Sequence, residues 1–384
     1  MNVVIPREEL VKLIGKIQNT VSSKPSIPVL ANILIEAQTG SLVVSATDLT
    51  VSMRFSAPAT VIEEGKIALP ARRFFQLIRE IRSPQVKITS ENGQFAEITA
   101  ASAAFRIHGM HFSEFPALPD FSSSYKISLP ASSLKELLHR TIFCAAREDS
   151  RYVLNGVLVE IADGMITFTG TDGKRLARMG ETITIDPSVQ ATYILPLKAV
   201  EETLRVLDDP EETVHMHFIE DKASIEVGSG VLMTKLLSGQ YPDVKRVIPQ
   251  SAQHNISLHR EELLSLLKQI ALFTSDHSHS IRFIFAKGEL TLKGSASNIG
   301  EGVVSMPADF SNGTLEIAFN PFYFIDILRR SQDECILFSI QDAFNPGLIT
   351  DSTKGQFVIM PMRLEEPQNM EKERVPTHSA TAEL

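Results

Sequence analysis

The chain has 384 residues, of which 43% are hydrophobic and 22% charged, and its formal net charge is −9. That length exceeds what one hydrophobic core serves and suits three domains of about 125 residues. No stretch approaches the ~20 apolar residues that cross a bilayer, and the start MNVVIPREELVKL lacks a secretory pattern. The two cysteines, Cys144 and Cys335, are too few for a disulfide scaffold and point to a reducing, cytoplasmic setting.

The first predicted element is a helix over 5–17, IPREELVKLIGKI, with Leu10, Leu13, Ile14 and Ile17 at i, i+3, i+4 and i+7. Two strands follow in VLANILIEAQTGSLVVSATDL, meeting at Gly40, then the strand-like VSMRFSAP. A second helix is expected over 69–81 behind Pro70, a residue that pre-sets helical φ at a first turn. FAEITAA and FRIHGM add strands.

The order then begins again. A helix is expected over 129–141, strands in VLNGVLVEIADGMITFTGTDG, a helix over 195–207, and strands in TVHMHFIE and ASIEVGSG. A third round follows, with a helix over 258–270, strands in IRFIFAKGELTLKGS and a helix over 319–331. The first two copies align without a gap, Glu36 on Glu160, Gly40 on Gly164 and Thr47-Asp48 on Thr171-Asp172, an offset of 124 residues. The same offset carries Gly164 onto Gly288, although the third copy matches poorly around Ser295-Ala296. This period is a whole domain, far above the ~20–50 residues of solenoid repeats.

The reading is an α+β protein of three repeated domains, each with two helices packed on antiparallel sheets. Boundaries are expected at 1–125, 126–251 and 252–364, with 365–384 (EEPQNMEKERVPTHSATAEL) a disordered tail. Three copies multiply a shape, whereas catalysis needs one site, so the repeat argues against an enzyme.

Charge is unevenly spread. The six helical segments (7–19, 71–82, 131–140, 196–206, 259–270 and 320–330) sum to +6, leaving −15 on the rest. If the helices share a surface, it is a basic strip on an acidic body. Such a strip attracts phosphates by counterion release without reading sequence.

No catalytic constellation emerges. GTDGKRLA at 170–177 has two residues between its glycines and Arg175 after Lys174, so it is not a phosphate loop. Asp276-His277-Ser278-His279 lacks a helical histidine pair or a CxxC partner and reads as a polar loop. Glu201-Glu202 reads as a solvated helix face. No metal or cofactor is expected. An enzyme with its site between domains, or a protein-binding scaffold without DNA, are the competing classes.

Five segments stand out: RYVLNG, TGTDGKRLA, SGQYPDVKRVIP, FNPFYF and VIMPMRL. They mix apolar side chains (Leu154, Leu176, Val247, Val358, Met360, Met362) with few polar ones (Arg175, Arg246, Asn320). Flexible methionine and shaped apolar walls suit a groove for a short peptide.

From residue 1 to Leu364 the sequence, and these segments above all, resembles the bacterial sliding-clamp family, the β subunits of replicative DNA polymerase III. The resemblance implies the DNA-clamp fold and a ring-shaped head-to-tail homodimer that encircles duplex DNA and confers processivity without enzymatic activity. Implied partners are DNA read without sequence preference, the polymerase III catalytic subunit, the clamp loader, and other polymerases and repair proteins bearing short clamp-binding peptides.

Carried over by motif, the peptide pocket comprises Leu154, Thr171, Gly173, Lys174, Arg175, Leu176, Pro242, Arg246, Val247, Asn320, Tyr323, Val358, Met360, Pro361, Met362 and Arg363. DNA contacts fall to Lys24, Arg72, Arg73, Tyr152, Lys198 and Arg205, and the dimer seam joins Phe105 and Ile107 to Leu272 and Phe273. Two departures from the family pattern are the extension beyond MPMRL and Leu197 at a position that is basic in relatives.

Overall fold

The computed structural model describes all residues except 23, 24, 26, 92, 119–125, 276–277 and 364–384. Lys24, Asp276, His277 and the tail expected at 365–384 therefore lie outside the described residues.

Among the described residues six α-helices form, two in each third of the chain: α1 (Arg7–Ile17), α2 (Ala71–Glu80), α3 (Ala131–His139), α4 (Leu197–Val206), α5 (Arg260–Ile270) and α6 (Pro321–Leu328). Proline starts five of them, in two ways. Pro6, Pro70, Pro130 and Pro196 each end a strand and stand at the cap with φ near −57° and an extended ψ. Proline there donates no amide to the ladder and turns the chain into the helix. Only Pro321 occupies a first-turn position, so the first-turn placement expected behind Pro70 holds for α6 and not for α2. The helix α5 lacks proline, and there the His259 side chain accepts the Glu262 N–H at 3.3 Å.

The aligned glycines prove to be one turn used three times. Gly40, Gly164 and Gly288 have φ of +77°, +72° and +80°. Each joins a pair of antiparallel strands: Asn32–Gln38 with Ser41–Thr47, Gly156–Ala162 with Met165–Thr171, and Ile281–Ala286 with Glu289–Ala296. An added Cβ would meet nothing closer than 4.0 Å at any of them. The backbone angle, not space, requires glycine there.

The strands of the described residues form four antiparallel sheets of five, eight, eight and four strands. Neither eight-stranded sheet belongs to one repeat. In the first, Val51–Pro58 of the first repeat pairs with Gly230–Lys235 of the second, Met53 opposite Leu232. In the other, Arg175–Thr182 of the second repeat pairs with Gln356–Ile359 of the third, Leu176 opposite Val358. The strands Val51–Pro58 and Arg175–Thr182 are offset by the repeat length, so both junctions are one device.

Helical apolar faces cover these sheets. Leu10, Leu13, Ile14 and Ile17 are all buried, as their spacing predicts. In the third repeat Phe283, Phe319, Phe324 and Phe338 pack ring to ring, with centroids 4.8–5.9 Å apart. One reading is corrected: Glu202 is not on a solvated face but is 3% exposed. It shares the inward side of α4 with Ala199, Thr203 and Val206, and burial raises its carboxyl above the ordinary range.

Candidate functional site

The site begins with a turn. After the strand Met165–Thr171, the Thr171 hydroxyl accepts the Gly173 N–H at 3.0 Å, and Asp172 Oδ1 accepts the N–H groups of Lys174 and Arg175 at 2.9 and 3.0 Å. Short polar side chains closing their own backbone make such turns rigid. The turn delivers Arg175 and Leu176 to the sheet junction, where Leu176 meets Val358. The short turn Tyr152–Leu154 inserts Leu154, fully buried, and Val244–Arg246 brings Val244 and then Val247.

Together these elements enclose an apolar cleft of about 140 Å³ between the second and third repeats. Its floor is a small core of its own, with Leu154, Leu176 and Val358 all buried beside Tyr241 and Val244. Val247 and Met360, 40% and 36% exposed, form the rim. A buried floor with an open apolar rim takes up apolar anchors from a chain in solution.

Polar groups fix one side. Arg151 donates to Asp149 at 2.8 Å and to the Asp172 carbonyl at 3.2 Å. That guanidinium holds the Asp149 carboxyl down to about 2. Arg175 donates from Nε to Asp172 at 3.0 Å and from Nη1 to Asp326 at 2.7 Å, with the Tyr323 ring 4.8 Å from its guanidinium.

Of the pocket residues carried over by motif, Leu154, Thr171, Gly173, Arg175, Leu176, Pro242, Val247, Val358 and Met360 line this one cleft. The others stand around it. Tyr323 flanks Arg175, and Asn320 caps α6 by accepting the Phe322 N–H at 2.9 Å. Met362 donates its N–H to the Ala318 carbonyl at 2.8 Å, drawing Pro361 and Arg363 with it, and the Lys174 carbonyl accepts the Met360 N–H. Arg246 points outward and pairs with Asp243 at 2.8 Å. Arg151, Asp243 and Val244 also line the cleft. They sit inside the segments RYVLNG and YPDVKRVIP, and only the fold separates them from their neighbours.

The helices pack in pairs, and neighbouring pairs lie side by side. α1 packs on α2, α3 on α4 and α5 on α6. α1 and α4 wall a shared depression through Lys12, Lys16 and Arg205, with Lys16 3.4 Å from Asp208. Just beyond α3 and α6, the Arg330 guanidinium lies 4.1 Å from the Phe143 ring centroid.

Across these helices the expected DNA contacts differ in charge state. Arg72 and Arg73 are exposed on α2 and carry no ion pair among the described residues. Lys198 is already held by Asp48 at 2.5 Å and the Thr20 carbonyl at 3.2 Å, and Arg205 by Glu202 at 3.0 Å. Tyr152 is 63% exposed.

Ala103–His108 of the first repeat and Gly300–Pro307 of the third are among the sheet edges, each ending its own sheet. Phe105 is exposed on the first, while Ile107 is only 8% exposed and belongs to its own core. Near the other edge Leu272 and Val303 are 72% and 60% exposed, and Phe273 is half-buried.

Family models of the DNA polymerase III beta subunit match the chain throughout: the N-terminal domain at residues 1–119, the central domain at 128–243 and the C-terminal domain at 245–363. Similar curated proteins include the beta sliding clamps of Chlamydia pneumoniae and Chlamydia muridarum, 49% and 48% identical over 367 residues, which cover 95% of this chain and 100% of each relative. Among solved structures, the sliding clamps of Pseudomonas aeruginosa and Bacillus subtilis superpose with a TM-score of 0.91 at 27% and 26% identity. Each of those matches covers 95% of this chain and 100% of the other. The chain belongs to the DNA polymerase III beta subunit family, the beta sliding clamps.

Proposed function

We infer that two copies of this chain close head to tail into a ring of six repeats that encircles duplex DNA, slides on it, and tethers the replicative polymerase and other partners. It is a processivity factor with no enzymatic activity, as in its family. The observation that carries the reading is the reuse of one junction. Inside the chain, the fourth strand of one repeat pairs with the last strand of the next, at Val51–Pro58 with Gly230–Lys235 and again at Arg175–Thr182 with Gln356–Ile359. The leftover edges are the third repeat's equivalent of the first partner, Gly300–Pro307, and the first repeat's equivalent of the second, Ala103–His108. A second copy satisfies both edges at once, and two such heterologous contacts close a ring.

The proposed seam places Phe105 opposite Leu272 and Phe273, with Val303 beside them, so that exposed apolar area and unpaired strand edges are covered together. Domain limits at 1–125, 126–251 and 252–364 follow the same repeat. The helices then line the hole, with Arg72 and Arg73 the strongest phosphate contacts because their charge is uncompensated. Tyr152, Lys198 and Arg205 contribute beside them. The apolar cleft takes the short peptides of the polymerase, clamp loader and repair proteins. The protein works in the cytoplasm, a setting in keeping with two free thiols, Cys144 buried and Cys335 exposed.

Retention on nicked circular DNA after loading, followed by linearisation, tests the reading. Mechanical linkage gives retention on circles and release from linear DNA. Equal behaviour on both forms would replace the ring by ordinary binding.

A further inference from the structure

Beside the apolar cleft, and sharing Arg175 with it, lies a larger depression of about 560 Å³ whose walls include Phe143, Glu148, Asp326 and Arg330. Two guanidiniums meet one ring there, Arg175 at 5.5 Å and Arg330 at 4.1 Å from the Phe143 centroid. The counter-charges are unequally shared. Arg175 takes both Asp172 and Asp326, Arg147 pairs with Glu201 at 3.2 Å, and Asp149 pairs with Arg151. Arg330 is left with one neutral acceptor, the Asp326 carbonyl at 2.8 Å from Nη1. Its Nε is buried without a partner, and its Nη2 has no acceptor among the described residues. Burial lowers its pKa, the mark of a cation short of compensation.

A guanidinium stacked on a ring, with a free N–H and no carboxylate of its own, is preorganised for a carboxylate. We propose that this depression receives an acidic side chain flanking the apolar anchors of a docking peptide, its carboxylate pairing with Arg330. The inference rests on reading the neighbouring cleft as the peptide site. Arg175 lines both cavities, so they adjoin and one extended chain spans the two. Glu148, Asp149, Asp172 and Asp326 are among the residues that line the larger one. Asp149, Asp172 and Asp326 are already paired with Arg151 and Arg175, which leaves Arg330 the cation that one added carboxylate can meet.

The test is fluorescence anisotropy on the full-length dimer with one apolar clamp-binding peptide, made with Glu or Gln at each flanking position in turn. The expected result is one register in which the Glu peptide binds about fivefold tighter than its Gln twin. On Arg330→Met that preference falls within about twofold while the Gln peptide binds as before, and Arg330→Lys retains part of it. Arg330→Gln, which removes the charge with a smaller change of polarity, serves if the methionine variant disturbs the dimer. The inference is overturned if no register prefers Glu, or if the preference survives both neutral variants. It is also overturned if those variants weaken oligonucleotide binding while the peptide preference persists, which would give Arg330 to nucleic acid. If no peptide binds the parent protein at all, the cleft reading itself fails. If the Gln peptide binds and Glu adds nothing, only the acidic subsite does.

Discussion

Arg140, at the end of α3, and Asp351, in the third repeat, form an ion pair whose side chains are 3% and 1% exposed. Arg140 also donates to the Thr353 hydroxyl at 2.6 Å, the Ser331 hydroxyl donates to Asp351 at 2.9 Å, and Phe357 lies 5.1 Å beneath the guanidinium. The pair locks the second repeat to the third beside the sheet junction that carries the cleft. Removing one partner strands a buried charge, so Asp351→Ala is expected to cost about 3–5 kcal/mol. Arg140→Met with Asp351→Leu restores most of that loss. Urea unfolding of the three proteins, read at the first transition, checks the comparison.

At the cleft the rim, not the floor, is the place to test binding. Leu176 is 2% exposed, so truncating it also opens a core cavity. Val247→Ala with Met360→Ala removes exposed apolar contacts only. Peptide affinity is expected to fall about tenfold, since lost apolar contact is worth about 1–2 kcal/mol. The dimer is expected to elute unchanged in size-exclusion chromatography.

On the helices, Arg72→Glu with Arg73→Glu is expected to abolish stable loading on circular DNA and to reduce the salt slope of binding by about 2. Lys198→Ala and Arg205→Ala are expected to act more weakly, because Asp48 and Glu202 already neutralise them. Titration of DNA binding against salt compares the variants.

The turn at Thr171-Asp172 recurs at Thr47-Asp48, where Thr47 accepts the Leu49 N–H and Asp48 accepts those of Thr50 and Val51. Its left-handed position is Gly173 (φ +84°) in one copy and Leu49 (φ +74°) in the other. Leu49 is 43% exposed and so gives up little burial. Leu49→Gly is expected to stabilise by about 0.5 kcal/mol, strain relief exceeding chain entropy. Gly173→Ala destabilises and presses on Arg151, 3.0 Å from the added Cβ. Thermal melts of both variants check the pair.

Glu202 gives a pH signature. Its folded-state pKa lies above the ordinary value because of burial, so folding favours the protonated acid and penalises the ionised form as pH rises. In Glu202→Gln that penalty is absent. The Tm difference between variant and parent is therefore expected to move in the variant's favour from pH 4 to pH 7, as calorimetry would record. A pH-independent difference would refute it.

The helices were legible in the sequence because a 3.6-residue period is a local property, and α1 buries the four residues that its spacing names. The repeat was legible for a similar reason: Gly40, Gly164 and Gly288 answer a local demand for positive φ. Much of the cleft was readable only through its resemblance to a family, since Leu154, Leu176 and Val358 have no periodicity in common. Arg330 was not legible as a site residue at all. In the sequence it is one of two arginines in the last turn of an expected helix, and its unpaired charge depends on which carboxylates the fold gives to Arg175.

By itself the sequence determined the three repeats, their helices and turns, and the excess of positive charge on helical segments, because these follow from spacing, backbone preference and counting. Tertiary structure decided where Leu176 meets Val358, that Glu202 lies inside, that Lys198 and Arg205 are ion-paired while Arg72 and Arg73 have no such partner among the described residues, and that Ala103–His108 and Gly300–Pro307 end their sheets. Strand pairing and charge pairing act across space, between residues whose separation along the chain carries no trace of the contact.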